Sequence, residues 1–398
     1  MRTFSLFILL FCCWHLLLAQ EQEPYTSKND YWHSIAVPLE QKNIMITMHR
    51  NSTNNYFKVW DLAKGEFIKQ YQIKGIIHDW SDKNHKQVLL LVQNKANHFE
   101  VWNAQTRQIV KKFQLPISAK KAIHSIAIAP DLSFVAFMLE QDYNKVKVWD
   151  IQNNQLLYEI NDIIYANHIY ISPNSEWIVL TKPGPGFAFI NHKTRKKQDH
   201  HYPETADGSV HDYSFSADGK YFAVAADEIG ATLIKMDSPD KEIFLREIND
   251  ESIGIGRAIC ISPNQKEIAV YGNSLGGVFS LSGKLKTKLQ NTLDFHSFNI
   301  TANGKYLLTI DKKGAIRTYE MSSGNLYLTF LHSTDGMIIF SPDGTYSATE
   351  KAKNQIENKN IRLQDYNNSL GVPYTHEPSI FKHYNPDAIY QKLRQLSN

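Results

Sequence analysis

One position recurs along this chain with side chains able to hold protons, metals or anions. It is occupied by His33, His78, His124, Asn167, His211, Arg257, His296 and Gly336, each ten residues before a fixed point of the next strand-like run, or nine in the second case. Imidazole changes charge near physiological pH and is a common metal ligand. Five histidines at one position could therefore hold a metal, hold an anion, or form a pH-responsive contact surface. The plainer reading is preferred: units copied from one ancestor share residues without sharing a role, each polar side chain being satisfied by nearby backbone.

Other arrangements that could carry chemistry fail on context. Gly272-Asn273-Ser274-Leu275-Gly276 matches the G-x-S-x-G pattern, but a nucleophilic serine there needs a sharp strand-to-helix turn. Here two strand-like runs, EIAVYG and GVFSL, flank it, which predicts a hairpin. Gly254-Ile255-Gly256 lacks the third glycine and the helix of a dinucleotide site. There is no His-Glu-x-x-His, no paired cysteine motif and no EF-hand loop, so the usual zinc and calcium sites are not assigned. Cys260 lies in the apolar run AICIS and reads as a buried packing residue. His192, His200 and His201, with Lys193, Arg195, Lys196 and Lys197, read as a charged outer strand that keeps a sheet edge from pairing with other chains. No catalytic residue, metal site or cofactor is assigned.

What must position these residues is a repeat. Three segments, FKVWDLAKGEFIKQY (57 to 71), FEVWNAQTRQIVKKF (99 to 113) and VKVWDIQNNQLLYEI (146 to 160), share an apolar-Trp-Asp/Asn pattern. Weaker copies place Ile190, Met236, Phe279, Tyr319 and Gln364 where the Trp stands, at intervals of 40 to 47 residues. A second anchor, on the preceding strand, falls at Asn43, Gln87, Phe134, Trp177, Tyr221, Glu267, Tyr306 and Tyr346, 39 to 47 apart. Two phases marching together mark a repeat architecture whose single unit cannot bury its apolar face alone. Each unit reads as an apolar strand, a Ser-Pro-Asp-Gly-type turn, a second apolar strand, the Trp-type strand and a polar outer strand. A four-stranded sheet repeated radially is a propeller blade.

On these residues the chain resembles the WD-repeat β-propellers over roughly residues 31 to 370. The resemblance implies an all-β propeller of four-stranded antiparallel blades, eight in number or, alternatively, seven. It also implies that the His-rich position starts the innermost strand, on the wide face near the central channel where partners commonly bind. In that family a His, a Ser or Thr, a turn Asp and the Trp form a polar network within each blade. Only Trp60, Trp102 and Trp149 keep the Trp here, so the network is expected to be absent or partial, with apolar packing between blades holding the ring. The segments 336 to 350 and 381 to 396 are loosely similar to the close of bacterial WD-repeat modules that adjoin caspase-like peptidases.

Composition fits a single globular propeller: 42% hydrophobic, 12% aromatic and 21% charged residues. A net charge of +3 on 398 residues is too small to imply a nucleic-acid partner. Residues 1–19, with Arg2, an apolar run from Phe4 to Leu18 and Ala19 as a small cleavage residue, read as a secretory signal rather than a membrane span, which needs about 20 predominantly apolar residues. Its removal leaves Cys260 as the one cysteine. Residues 20–30 read as a linker or closing strand, 31–375 as the propeller, and 376–398 as a tail with a short helix capped by Asn385 and Pro386 and apolar at Ile389, Leu393 and Leu396. N-glycosylation sequons stand at Asn51, Asn299 and Asn367. The expected function is that of a secreted or periplasmic, monomeric, non-enzymatic scaffold that binds a protein partner at His33, His78, His124, Asn167, His211, Arg257 and His296. The alternative is a metal or small-ligand binder, or a propeller enzyme, at the same His-rich mouth.

Overall fold

The computed structural model describes residues 32–357 and 383–397, with short breaks at 51–54, 82, 96, 118–121, 141, 143, 162, 164–165, 183–185, 201–208, 228–229, 240, 246, 249–250, 253, 274–275, 290–294, 312–313 and 334–335. Its strands form six four-stranded antiparallel blades: 1 (residues 32–73), 2 (76–114), 3 (123–160), 4 (169–200), 5 (210–244) and 6 (256–289). First strands touch the first strands of neighbouring blades, which makes them the inner strands of a propeller. The seventh sheet has seven strands, Phe295–Ile300, Tyr306–Asp311, Ile316–Glu320, Leu326–Ser333, Gly336–Phe340, Thr345–Ala348 and the parallel His383–Tyr384.

Neither eight nor seven separate four-stranded blades form, which corrects the count expected from the repeat. The eighth unit supplies only a hairpin, because its second strand runs into helix α1 (Glu350–Glu357) instead of a Trp-type strand. Gln364 and residues 369–375 lie outside the described residues. A lone hairpin cannot bury a face of its own. It pairs instead with the outer strand of the preceding unit, Leu331 opposite Ile338, covering an edge that would otherwise be open.

Seven apolar clusters sit between neighbouring sheets and hold the ring. The residues that replace Trp keep its burial, Ile190, Met236, Phe279 and Tyr319 each being 1% exposed. The polar network is partial. Trp60 Nε1 donates to Thr47 Oγ1 at 3.1 Å beside His49, and Trp102 Nε1 donates to Glu100 Oε2, whereas Trp149 Nε1 is buried without a partner. The residue after the Trp-type position acts locally. Asp61, Asn103, Asp150 and Asn191 each accept a backbone N–H two or three residues on, shaping the turn to the outer strand.

The other turn is equally regular. Ser172, Ser216, Ser262 and Thr301 each donate to the Asn or Asp two residues on and accept the backbone N–H five residues on. Cys260 is buried between blade 6 and the seventh sheet. Asn299 is 2% exposed on an inner strand, so the folded protein has no room for a glycan there. Asn51 and Asn367 lie outside the described residues, as do residues 1–31, which carry the expected signal. No described helix is long and apolar enough to cross a membrane.

The C-terminal helix α2 (Pro386–Ser397) starts where the sequence places it, Asn385 Oδ1 accepting the Ala388 N–H at 3.1 Å. Ile389, Leu393 and Leu396 are fully buried in the cluster that joins blade 1 to the seventh sheet. Ring closure there has no shared sheet. Inner strands Trp32–Ala36 and Phe295–Ile300 meet side by side, with Asn299 Nδ2 donating to Ile35 O at 3.4 Å. The helix wedges the seam from outside the strands. Leu393→Ala is expected to lower unfolding free energy by about 2–5 kcal/mol, the usual cost of a large-to-small change at a buried site, measured by urea denaturation.

Candidate functional site

The recurring position is a structural device. In the inner strands of blades 2, 3, 5 and 6 and of the seventh sheet, His78, His124, His211, Arg257 and His296 are each the extra residue of a β-bulge, skipped in the pairing with the second strand. A bulge turns its side chain out of the ladder and is common where a strand rim carries function. Asn167 precedes its strand, with its N–H on Thr181 O at 2.9 Å. His33 departs from the pattern, pairing with His49 in an unbroken ladder. The side chains of His33 and His296 lie outside the described residues.

These rim side chains are tied to the far part of the second strand or the residue just after it, 15 or 16 residues on. His78 Nε2 lies 2.6 Å from Gln93 Oε1, His211 Nε2 lies 2.6 Å from Asp227 Oδ1, and Arg257 Nε donates to Asn273 Oδ1 at 2.8 Å. Burial tends to raise the Asp227 carboxyl, but the His211 bond and the Ser209 N–H outweigh it and hold the group below its usual range. His168, beside Asn167, is a rim imidazole that the repeat alignment passed over. Burial lowers it, and the His124 charge lowers it further. Blades 3, 4 and 5 thus each bring a histidine to this end.

Inner strands pair on one side only, so their free edges need other partners. Neighbouring blades supply them. Ile169 N donates to Ser125 Oγ at 3.0 Å, Ile259 N to Asp212 Oδ2 at 2.9 Å, Ile128 N to Asp79 Oδ2 at 3.0 Å, Ile261 N to Ser214 Oγ at 3.0 Å, and Ile35 N to Ser297 Oγ at 3.5 Å.

Across the middle lies a feature that the sequence reading missed. The turn in blade 2 from Ser81 to Leu89 is three residues longer than its counterpart from Ser172 to Trp177. The extra residues reach the inner strands of blades 5 and 6. Lys83 Nζ binds Asp212 Oδ2 at 2.5 Å, Ile259 O at 2.7 Å and Tyr213 O at 3.1 Å, and Asn84 Nδ2 donates to Phe215 O and to Ile261 O. Both side chains are buried. The channel is therefore bridged on the side of the Ser-Pro-Asp-type turns. The extra length between Ser81 and Leu89 was the available signal.

The remaining sequence candidates disperse. Lys193 pairs with Glu176, Lys182 and Lys197 pair with Asp199, His200 contacts Glu242 and Arg195 lies over Tyr158, so the basic run is a solvated blade surface; His201 lies outside the described residues. The G-x-S-x-G segment joins antiparallel strands Glu267–Gly272 and Gly276–Ser280, and Ser274 lies outside the described residues. Among the described residues no three His, Cys, Asp or Glu side chains converge as a metal would require.

Fold and rim together define a β-propeller whose inner strands present bulged polar residues at one end. No protein-family model matches the sequence, and no curated protein matches it by sequence. Among solved structures, one titled Kuenenia stuttgartiensis hydrazine synthase is similar, with a TM-score of 0.54 at 12% identity, covering 74% of this chain and 96% of that one. At that identity the likeness concerns the fold alone. Since 1471 solved chains match, the architecture by itself does not select a function.

Two outcomes follow from the channel chemistry. Lys83→Ala strips the partner from Asp212 and from two carbonyls. It should cost roughly 2 kcal/mol or more of stability, somewhat under the loss for a fully enclosed pair because Asp212 keeps some solvent contact, as read by chemical denaturation. Burial pushes the Asp79 carboxyl up to about 6, the N–H groups of Ile128 and Trp80 only partly opposing it. A raised folded-state pKa adds stability that is full below the unfolded value near 4 and is lost as pH rises through about 6. Asp79→Asn should remove that slope and leave the protein more stable above pH 6, on the order of 1–3 kcal/mol, in melts run from pH 4 to 8.

Proposed function

We propose that this chain is a divergent member of the WD-repeat propellers that acts outside the cytoplasm as a monomeric protein-binding scaffold, without catalysis of its own, engaging its partner at the bulged end of the inner strands. The observation that carries the reading is the repeated bulge. It sets His78, His124, His211 and Arg257 at corresponding points of rigid blades, while the far end of the channel is bridged by Lys83 and Asn84. Polar groups displayed on sheets that cannot shift suit recognition, because ordering them at binding costs little. The turn-shaping Asp or Asn after four of the Trp-type positions, Asp61, Asn103, Asp150 and Asn191, supports the WD-repeat lineage. The apolar N-terminal run supports export. The similarity of the ending to modules beside caspase-like peptidases makes a peptidase-containing assembly one place to seek the partner.

A crosslinking experiment tests this. A photoreactive amino acid replaces His124 or His211 in the full chain, with an outer-strand position, Lys69, as control. In cells of the source organism, rim probes are expected to trap one discrete partner in the extracytoplasmic fraction at ten times the control yield or more. Equal trapping from Lys69 would remove the rim site. A cytoplasmic product that keeps its first 19 residues would remove the export reading. The second reading, a metal held by the rim histidines, predicts bound metal in purified protein and a zinc- or nickel-dependent rise in melting temperature that is lost in the His124→Ala/His211→Ala variant.

A further inference from the structure

Resting on the scaffold reading, the geometry points to the chemistry of the partner: we propose that Arg257 is the rim's carboxylate receptor, taking an Asp or Glu side chain from an acidic segment of the bound protein. The guanidinium is exposed, yet its plane is fixed by the Nε bond to Asn273. Its Nη1 faces His211 Nε2 at 3.2 Å, and the same ring nitrogen lies 2.6 Å from Asp227 Oδ1.

One ring nitrogen offers either a proton or a lone pair. Asp227, ionised, can only accept, so the shorter contact requires Nε2 to carry the proton. No lone pair then remains for Arg257. Among the described residues the guanidinium makes no hydrogen bond or ion pair beyond Asn273 and this His211 contact. Nη1 and Nη2 are left as a fork of donors, oriented and unspent, the arrangement that meets a carboxylate with two parallel bonds.

Two features sharpen the assignment. Gly256, immediately before Arg257, packs on the backbone oxygen of Gly230 in blade 5 so closely that a Cβ would collide with it. The strand that carries Arg257 is therefore packed backbone to backbone on blade 5, which helps to preorganise the fork. Asp227, one imidazole away, keeps a negative charge at the site. A singly charged carboxylate tolerates that neighbour better than a doubly charged phosphate, since like-charge repulsion scales with both charges.

Fluorescence anisotropy with the full chain tests the proposal, using a short labelled peptide alternating Glu and Gly, its Gln-Gly counterpart, and inorganic phosphate as competitor. The Glu peptide should bind at least tenfold tighter than the Gln peptide. Arg257→Gln and Arg257→Lys should each weaken it by at least tenfold, with melting temperatures unchanged. A Lys variant that binds like the parent would show simple charge attraction and overturn the fork. Phosphate competing as well as free Glu peptide, or a parent protein that does not distinguish the peptides, would overturn the carboxylate assignment. Rim crosslinks at His124 and His211 that persist in Arg257→Gln while the peptide fails would sink this inference alone, and their loss in the parent protein would sink the scaffold reading.

Discussion

The structure depends on how the inner strands satisfy the edge that has no neighbouring strand. Each pairs with its own blade on one side, and the other side faces adjacent blades and the channel. A buried peptide group left unpaired costs free energy comparable to a lost hydrogen bond. The chain meets this with short side chains reaching across the blade boundary: Ser125 to Ile169, Asp212 to Ile259, Ser214 to Ile261, Ser297 to Ile35. Where blades 5 and 6 meet, Lys83 and Asn84 arrive from blade 2 and take up four of the strand carbonyls. Apolar clusters supply most of the cohesion, but these polar links fix the register of one blade on the next.

The same constraint explains the rim. An inner strand running unbroken to its end would present a regular edge beside the channel mouth. The bulge interrupts that edge and turns one polar residue outward, where it bonds to its own blade through Gln93, Asp227 or Asn273. Histidine suits the position because it can give or take a hydrogen bond as the neighbour demands. The residue type is thus set first by structure, and the proposed recognition draws on a display that the fold already requires.

Much of this was legible in the sequence. The spacing of the Trp-type strands and the Ser-Pro-Asp-Gly turns pointed to the blade, and Asn385 and Pro386 located the terminal helix. The alignment put the anchor of blade 2 at Gln87, nine residues after His78, whereas the second strand starts at Leu89 after a longer turn. Blade count was not legible, because a half-unit has the same local pattern whether it starts a new blade or extends an old one; the decision lies in α1, which occupies the place of a third strand. His168 was hidden for a related reason: alignment selects one residue per unit, whereas the rim in blade 4 uses the neighbour. The Lys83 bridge joins residues about 130 to 180 apart, and no local pattern records such a contact.

The position of α2 has a consequence for the order in which the molecule assembles. Blade 1 and the seventh sheet are translated far apart, and the helix that fills the seam between them follows both. Until it docks, Trp60, Leu62, Leu308 and Phe330 line a cleft with no apolar cover from Leu393. The ring thus behaves as a clasp whose pin is made after the band, so an incomplete chain remains open, adhesive and recognisable to quality control as unfinished.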